Sequence, residues 1–212
     1  MKKIPKLTML ATSLVILLPI VAGVALWDRL PDLVPTHFGF DNQPNGWSSK
    51  PFTVFGIPLI MLALQWVCLF AYRTDPRKKN LNPTVMGFVL WIIPVVSLLV
   101  AGMVYPIALG KTVNVGFVVT LLLGALFVFI GNYLPKCGQT YTVGIRIPWT
   151  LNDEDNWYYT HRLGGWVWMA GGLLVILFAF LGWMEAVIPV IVLMVLIPCV
   201  ASYLFYRRKN AN

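Results

Sequence analysis

The sequence predicts an all-α integral membrane bundle of six transmembrane helices with both termini in the cytoplasm. Composition and charge pattern lead there together. Hydrophobic residues make up 58% of the 212-residue chain and charged ones 11%, whereas a soluble globule carries about a quarter charged residues. The few charges cluster, leaving charge-free stretches at 7–27, 51–72, 80–110, 112–135, 163–184 and 186–206. A helix needs about 20 mostly apolar residues to cross the hydrocarbon layer, so each stretch suffices for one crossing. Threading these spans back and forth puts thirteen of the sixteen Lys and Arg on one face. They are Lys2, Lys3 and Lys6, those of the loops 73–79 and 136–162, and Arg207, Arg208 and Lys209. Only Arg29, Lys50 and Lys111 fall on the other face. Positive charge is retained inside, so the termini and those two loops are expected in the cytoplasm. The net charge of +8 then reflects membrane topology, and no direct nucleic-acid partner is expected.

The first stretch follows Lys2-Lys3-Ile4-Pro5-Lys6 and ends near the small residues Ala22, Gly23 and Ala25, in the manner of a secretory signal. A signal's apolar core is about 7–15 residues, and this longer one favours a retained helix. Residues 28–50 are rich in Pro, Gly and Asn, the mark of turns. Asp41, Gln43, Asn45 and Gly46 imitate the opening of a calcium loop, but Phe52 stands where the closing Glu belongs, so no metal is expected. His37 and Asp41 are the candidate ligand contacts on this outer side. The third stretch exceeds one crossing, with Asn82-Pro83 suited to a helix start and Tyr105-Pro106 to an exit. Proline interrupts the spans at Pro19, Pro58, Pro94, Pro189 and Pro198, where the missing amide kinks a helix unless a neighbour compensates. Gly164, Gly165, Gly171 and Gly172 place small residues on the fifth helix where another backbone can approach closely.

Chemistry within the membrane is sparse. No Asp, Glu, Lys, Arg or His lies inside the six stretches, and the polar exceptions are few, notably Gln65 and, near the ends, Asn114 and Asn132. Proton relays and ion-coupled transporters place ionisable groups there, which counts against transport. Gln65 is better read as a hydrogen bond across helices than as a substrate contact. The only histidines, His37 and His161, are expected on opposite sides of the membrane and cannot share a site. With no nucleophile or metal spacing beside them, neither an enzyme nor a cofactor is expected. Cys68 and Cys199 sit in apolar stretches and Cys137 in a loop, with no C-x-x-C pair and no disulfide framework.

The 136–162 loop is too rich in aromatic and charged residues for a mere tether. Thr150 or Asn152 can cap a following helix whose first turn holds Asp153, Glu154 and Asp155. On that helix Glu154, Trp157, His161 and Gly164 share one face, and Tyr158 and Arg162 another. Arg146 and Arg162 suit an acidic partner or lipid phosphate, while Trp149 and Trp157 supply apolar surface.

Asn132-Tyr133-Leu134-Pro135-Lys136, then Gly144-Ile145-Arg146-Ile147-Pro148-Trp149-Thr150-Leu151, Trp157 and Thr160-His161-Arg162-Leu163-Gly164-Gly165, resemble the SdpI family of bacterial membrane proteins. Pro35-Thr36-His37-Phe38, Pro44 and Gly46-Trp47 are similar to that family's companion N-terminal domain of unknown function. The resemblance implies a region 1–79 of two helices with an extracytoplasmic loop, and a four-helix region 80–212 with the cytoplasmic loop 136–162. It further implies a multi-pass immunity or signalling protein of the cell membrane, not an enzyme. Such a protein resists a secreted membrane-active peptide toxin and captures a cytosolic transcriptional repressor at the membrane. Its candidate partner-binding residues are Arg146, Trp149, Thr150, Trp157, His161, Arg162 and Asn132 within, and His37 and Asp41 without, with membrane lipids as further partners. The alternatives are a small-molecule or lipid transporter and a membrane enzyme acting on lipid headgroups.

Overall fold

The computed structural model describes residues 6–211, so Lys2 and Lys3, which contribute to the charge bias, lie outside the described residues. The elements follow in the order α1 (Lys6–Ala25), β1 (Leu33–Phe38), β2 (Pro44–Ser49), α2 (Ile57–Thr74), α3 (Pro83–Ala108), α4 (Val115–Tyr133), α5 (Pro148–Asn152), α6 (Glu154–Leu181) and α7 (Val187–Ala211). A π-helical turn, Phe52–Gly56, leads into α2. Every α-helix except the five-residue α5 is long and apolar enough to cross a membrane. The 20 residues of α1 span about 30 Å at 1.5 Å per residue, the thickness of the hydrocarbon layer. The third span opens where expected, with the Thr84 amide donating to Asn82 Oδ1 at 2.9 Å, and continues past Tyr105 to Ala108. Leu7, Leu10, Leu14 and Leu18 form an exposed stripe on α1, as a helix facing lipid requires.

The chain forms two compact units. The first runs through Arg73 and resumes over Met86–Val115, and so holds α1, the hairpin, α2 and nearly all of α3. Its connection between α1 and α2, where the Pro, Gly and Asn content marks turns, also holds a β-hairpin, which departs from an all-α chain. β1 and β2 pair antiparallel, Leu33 opposite Ser49 and Phe38 opposite Pro44, with irregularities on both sides of His37. Proline in both strands hides the period-two pattern, and a two-stranded ribbon tolerates it because each strand has a free edge. Asn42, at φ 61°, makes the turn. Gly46 crosses so close to His37 that a Cβ would lie 2.9 Å from the histidine's own. Val34, on the inner face of β1, joins Leu30, Val54, Val104 and Tyr105 in a buried cluster that seats the ribbon on its unit.

Proline leaves one helical carbonyl without its donor, that of the residue four earlier, and inside a membrane no water replaces it. Pro94 of α3 frees the Leu90 carbonyl, and the Gln65 side chain, 1% exposed, donates its Nε2 to that oxygen at 3.0 Å. In the second unit Pro198 of α7 frees the Met194 carbonyl, and Trp168 Nε1 of α6 donates to it at 2.9 Å. Each of these two breaks in a helical ladder is thus closed by a side chain from a neighbouring helix.

The second unit joins Thr74–Val85 to everything from Gly116 onward. Its axis is α6, whose paired glycines serve two neighbours. A Cβ on Gly165 would meet the Gly131 carbonyl at 2.8 Å, and one on Gly172 the Gly124 carbonyl at 2.7 Å, so these two lie against α4. Gly171 instead abuts Met194 of α7, and Gly164 abuts Ile145 and Leu134. Small residues here permit backbone-to-backbone approach, the packing expected of the fifth helix.

Candidate functional site

The connection between α4 and α6 is organised by the first turns of α6. Asp153, in place of the expected Thr150 or Asn152, caps that helix by accepting from the amides of Asp155 at 3.0 Å and Asn156 at 3.3 Å. Thr150 is occupied in α5, where its hydroxyl accepts from the Ile147 amide at 3.1 Å and donates to the Ile145 carbonyl at 2.8 Å. Lys209, near the end of α7, pairs with Asp153 at 2.9 Å and with Asp155 at 2.8 Å. Burial by itself raises the Asp153 carboxyl, but the Lys209 hydrogen bond and the two cap amides outweigh it and hold the group below its ordinary range.

One turn further, Trp157 and His161 lie fully buried with their rings stacked, centroids 3.9 Å apart and planes at 22°. Glu154, on the same expected face, is exposed. Trp157 Nε1 donates to the Cys137 carbonyl at 2.9 Å, and the Ile145 amide donates to His161 Nε2 at 2.9 Å. His161 Nδ1 lies 2.8 Å from the Trp157 carbonyl. An amide only donates and a carbonyl only accepts, so the imidazole proton belongs on Nδ1. Gly144 passes over the rings at φ +120°, where a Cβ would collide with His161 Nε2 and lie 2.8 Å from Trp157. The ring pair therefore pins both ends of the 137–145 segment. Burial pushes the Cys137 thiol up to about 11. Below them Asn156, also fully buried, binds the Ser202 carbonyl at 3.0 Å and accepts from the Thr160 hydroxyl at 2.9 Å.

A second knot has no counterpart among the residues singled out from sequence. Asp75, 3% exposed, accepts from the Arg77 amide at 2.7 Å, the Tyr141 amide at 2.9 Å and the Thr142 hydroxyl at 2.8 Å. The Arg77 guanidinium donates to the Leu151 carbonyl at 2.9 Å and lies 4.7 Å from the Tyr141 ring centre. Asn80 reaches the Gln139 carbonyl at 3.0 Å, and Gln139 in turn reaches those of Thr150 and Leu151. The available signal was Asp75-Pro76, a turn-forming pair just after a span, since Asp side chains bind backbone amides two residues on.

Of the sequence-derived candidates, Thr150, Trp157 and His161 come together as the interior of this connection. Arg146 is exposed and donates to the Tyr141 carbonyl. Trp149 packs against α7, 5.4 Å from the Tyr203 ring and 6.1 Å from that of Tyr206. Arg162 and Asn132 are exposed and stand outside the hydrogen-bonded network. His37 and Asp41 belong to the first unit, both exposed on the hairpin. There His37 Nδ1 bonds Asn45 Oδ1, and Asp41 accepts from the Gln43 amide at 3.1 Å. Leu33, Phe40 and Trp47 are exposed around them.

Comparison with known proteins finds two matching family models. Residues 136–202 fit the model of the SdpI/YfhL protein family, and residues 14–62 fit that of a domain of unknown function, DUF1648. The chain is 28% identical over 207 residues to the Immunity protein SdpI of Bacillus subtilis (strain 168), covering 94% of this chain and 96% of that one. No solved structure matches. With six helices able to span a bilayer and this likeness along nearly its whole length, the chain is similar to the SdpI/YfhL family and is a multi-pass protein of the bacterial cell membrane.

Proposed function

We propose that this chain is a membrane immunity protein that protects its cell from a secreted membrane-active peptide toxin. The observation that carries the reading is the near end-to-end similarity to the Immunity protein SdpI. In this reading the hairpin faces outward and meets the toxin through His37, Asp41 and the exposed Phe40 and Trp47. The termini and the 136–162 connection face the cytoplasm, where Arg146 and Arg162 receive an acidic surface of a soluble repressor. Transport loses its chief motive, because Gln65 is committed to the Leu90 carbonyl.

The test is expression in a toxin-sensitive bacterium lacking its own immunity protein, followed by challenge with a purified secreted membrane-active peptide toxin that kills that host. Survival should rise over the vector control, and unchanged killing despite verified membrane insertion refutes protection against that toxin. Orientation is checked with an impermeant maleimide on intact cells. Ser49→Cys should label and Glu154→Cys should not, and the reverse pattern inverts the topology. Repressor capture predicts a soluble regulator in membrane pull-downs from toxin-treated cells, with recovery reduced by Arg146→Ala.

A further inference from the structure

A cleft of about 400 Å³ in the second unit is lined by Lys79–Pro83 on one side and Pro135–Gly138 with Tyr158 on the other. Its walls are held in place by bonds already described. Asn80 ties one wall to the Gln139 carbonyl, and Trp157 ties the other through the Cys137 carbonyl. Gly138 lets them meet, since a Cβ there would collide with the Asn80 carbonyl. The lining contains two cations, Lys79 and Lys136, the side-chain amides of Asn80 and Asn82 and the Tyr158 hydroxyl, and no carboxylate. Among the described residues neither lysine has an acidic partner, and Lys136 rests over the Tyr133 ring at 4.6 Å. The cleft lies at two span ends, because Pro83 opens one membrane-capable helix and Lys136 closes another.

A polar cleft lined by hydrogen-bond donors, with unpaired lysines at headgroup depth, suits one kind of ligand. We propose that it binds a phosphate group, with Lys79 and Lys136 as the charge partners and an anionic phospholipid headgroup as the source. Basic recesses between helices at the membrane surface attract such headgroups, and each lysine near the surface contributes about 1 kcal/mol. Removing both therefore weakens binding roughly 30-fold, at about 1.4 kcal/mol per tenfold.

The full chain, purified in a neutral detergent, is titrated with short-chain phosphatidylglycerol, short-chain phosphatidylcholine or inorganic phosphate, and bound adducts are read by native mass spectrometry. Phosphatidylglycerol should be retained over phosphatidylcholine. The double variant Lys79→Gln/Lys136→Gln should lose about 30-fold in affinity, and Lys79→Arg/Lys136→Arg should keep it. Arg29→Gln/Lys111→Gln, an equal loss of charge elsewhere, should bind as the parent does. Equal retention of the two lipids, or an unaffected Gln variant with an unchanged melting temperature, overturns the site. Adducts with inorganic phosphate alone, lost in the Gln variant, uphold the phosphate chemistry and overturn the lipid as its source.

Discussion

The repair of the Pro94 break by Gln65 can be tested as a coupling, which a merely apolar contact would not produce. Gln65→Leu preserves bulk but leaves the buried Leu90 carbonyl without a donor, because Pro94 cannot supply one. An unpaired buried acceptor costs about 1–3 kcal/mol, and hydrogen bonds between membrane helices average about 0.6 with a maximum near 1.7. A loss of about 1.5 kcal/mol, roughly tenfold in the unfolding equilibrium, is the expected outcome. Pro94→Ala returns an amide four residues after Leu90 and makes Gln65 dispensable. In that background Gln65→Leu should cost less than about 0.5 kcal/mol, giving a coupling near 1 kcal/mol in the double-mutant cycle. The assay is unfolding of the detergent-purified protein by graded SDS, followed by circular dichroism. If Gln65→Leu costs the same in the parent and in the Pro94→Ala background, the side chain is not mending that carbonyl and the reasoning fails.

Asp75→Ala strands three donors, two of them backbone amides, and should open the Tyr141–Thr142 segment by about 1–3 kcal/mol, seen as faster hydrogen exchange at the Tyr141 amide. Unchanged protection there would contradict the clasp. Gly131→Val drives a side chain into the Met169 amide and the Gly165 carbonyl, at 2.6 and 2.8 Å from its Cβ. A loss of about 1–3 kcal/mol is expected, and a melting temperature equal to the parent's would show that the helices separate freely. Cys137, with its thiol raised to about 11, should react with maleimide at pH 7.5 at least about a hundredfold slower than an ordinary exposed thiol near 8.5. Asp153 has a depressed carboxyl, so its contribution is present above the ordinary carboxylate range and lost as pH falls through its lowered value. Asp153→Asn should therefore flatten the acid limb of thermal stability, and only slightly, because solvent screens the exposed Lys209 partner.

Much of this architecture was legible because membrane chemistry writes its demands in single residues. Charge-free runs located the six long helices, and Asn82-Pro83 marked the start of α3. Pro94 and Pro198 announced broken ladders, and Gln65 was recognisable as a hydrogen-bonding residue. Pro58 and Pro189 instead fall in the first turn of α2 and α7, where no carbonyl four residues earlier within the helix loses its donor. What pairs with what was not legible, since the link between Gln65 and Leu90 or between Trp168 and Met194 depends on helix rotation. The hairpin escaped because its prolines erase alternation. Trp157 and His161 were singled out as partner contacts, yet both lie in the interior, where they brace the loop that carries Arg146. Asp75 was hidden by its place among basic residues, where an acid reads as one more exposed charge.

The spacing of the glycines between α4 and α6 limits how this half of the molecule can respond to any stimulus. Gly124 and Gly131 are seven apart, as are Gly172 and Gly165 opposite them. An axial slip of one turn would bring Trp168 and His161, or Ile176 and Met169, to positions now held by glycine. The seam therefore works as a keyed joint, able to part or stay shut but not to slide, and piston motion along α6 is closed to this protein as a means of carrying a message.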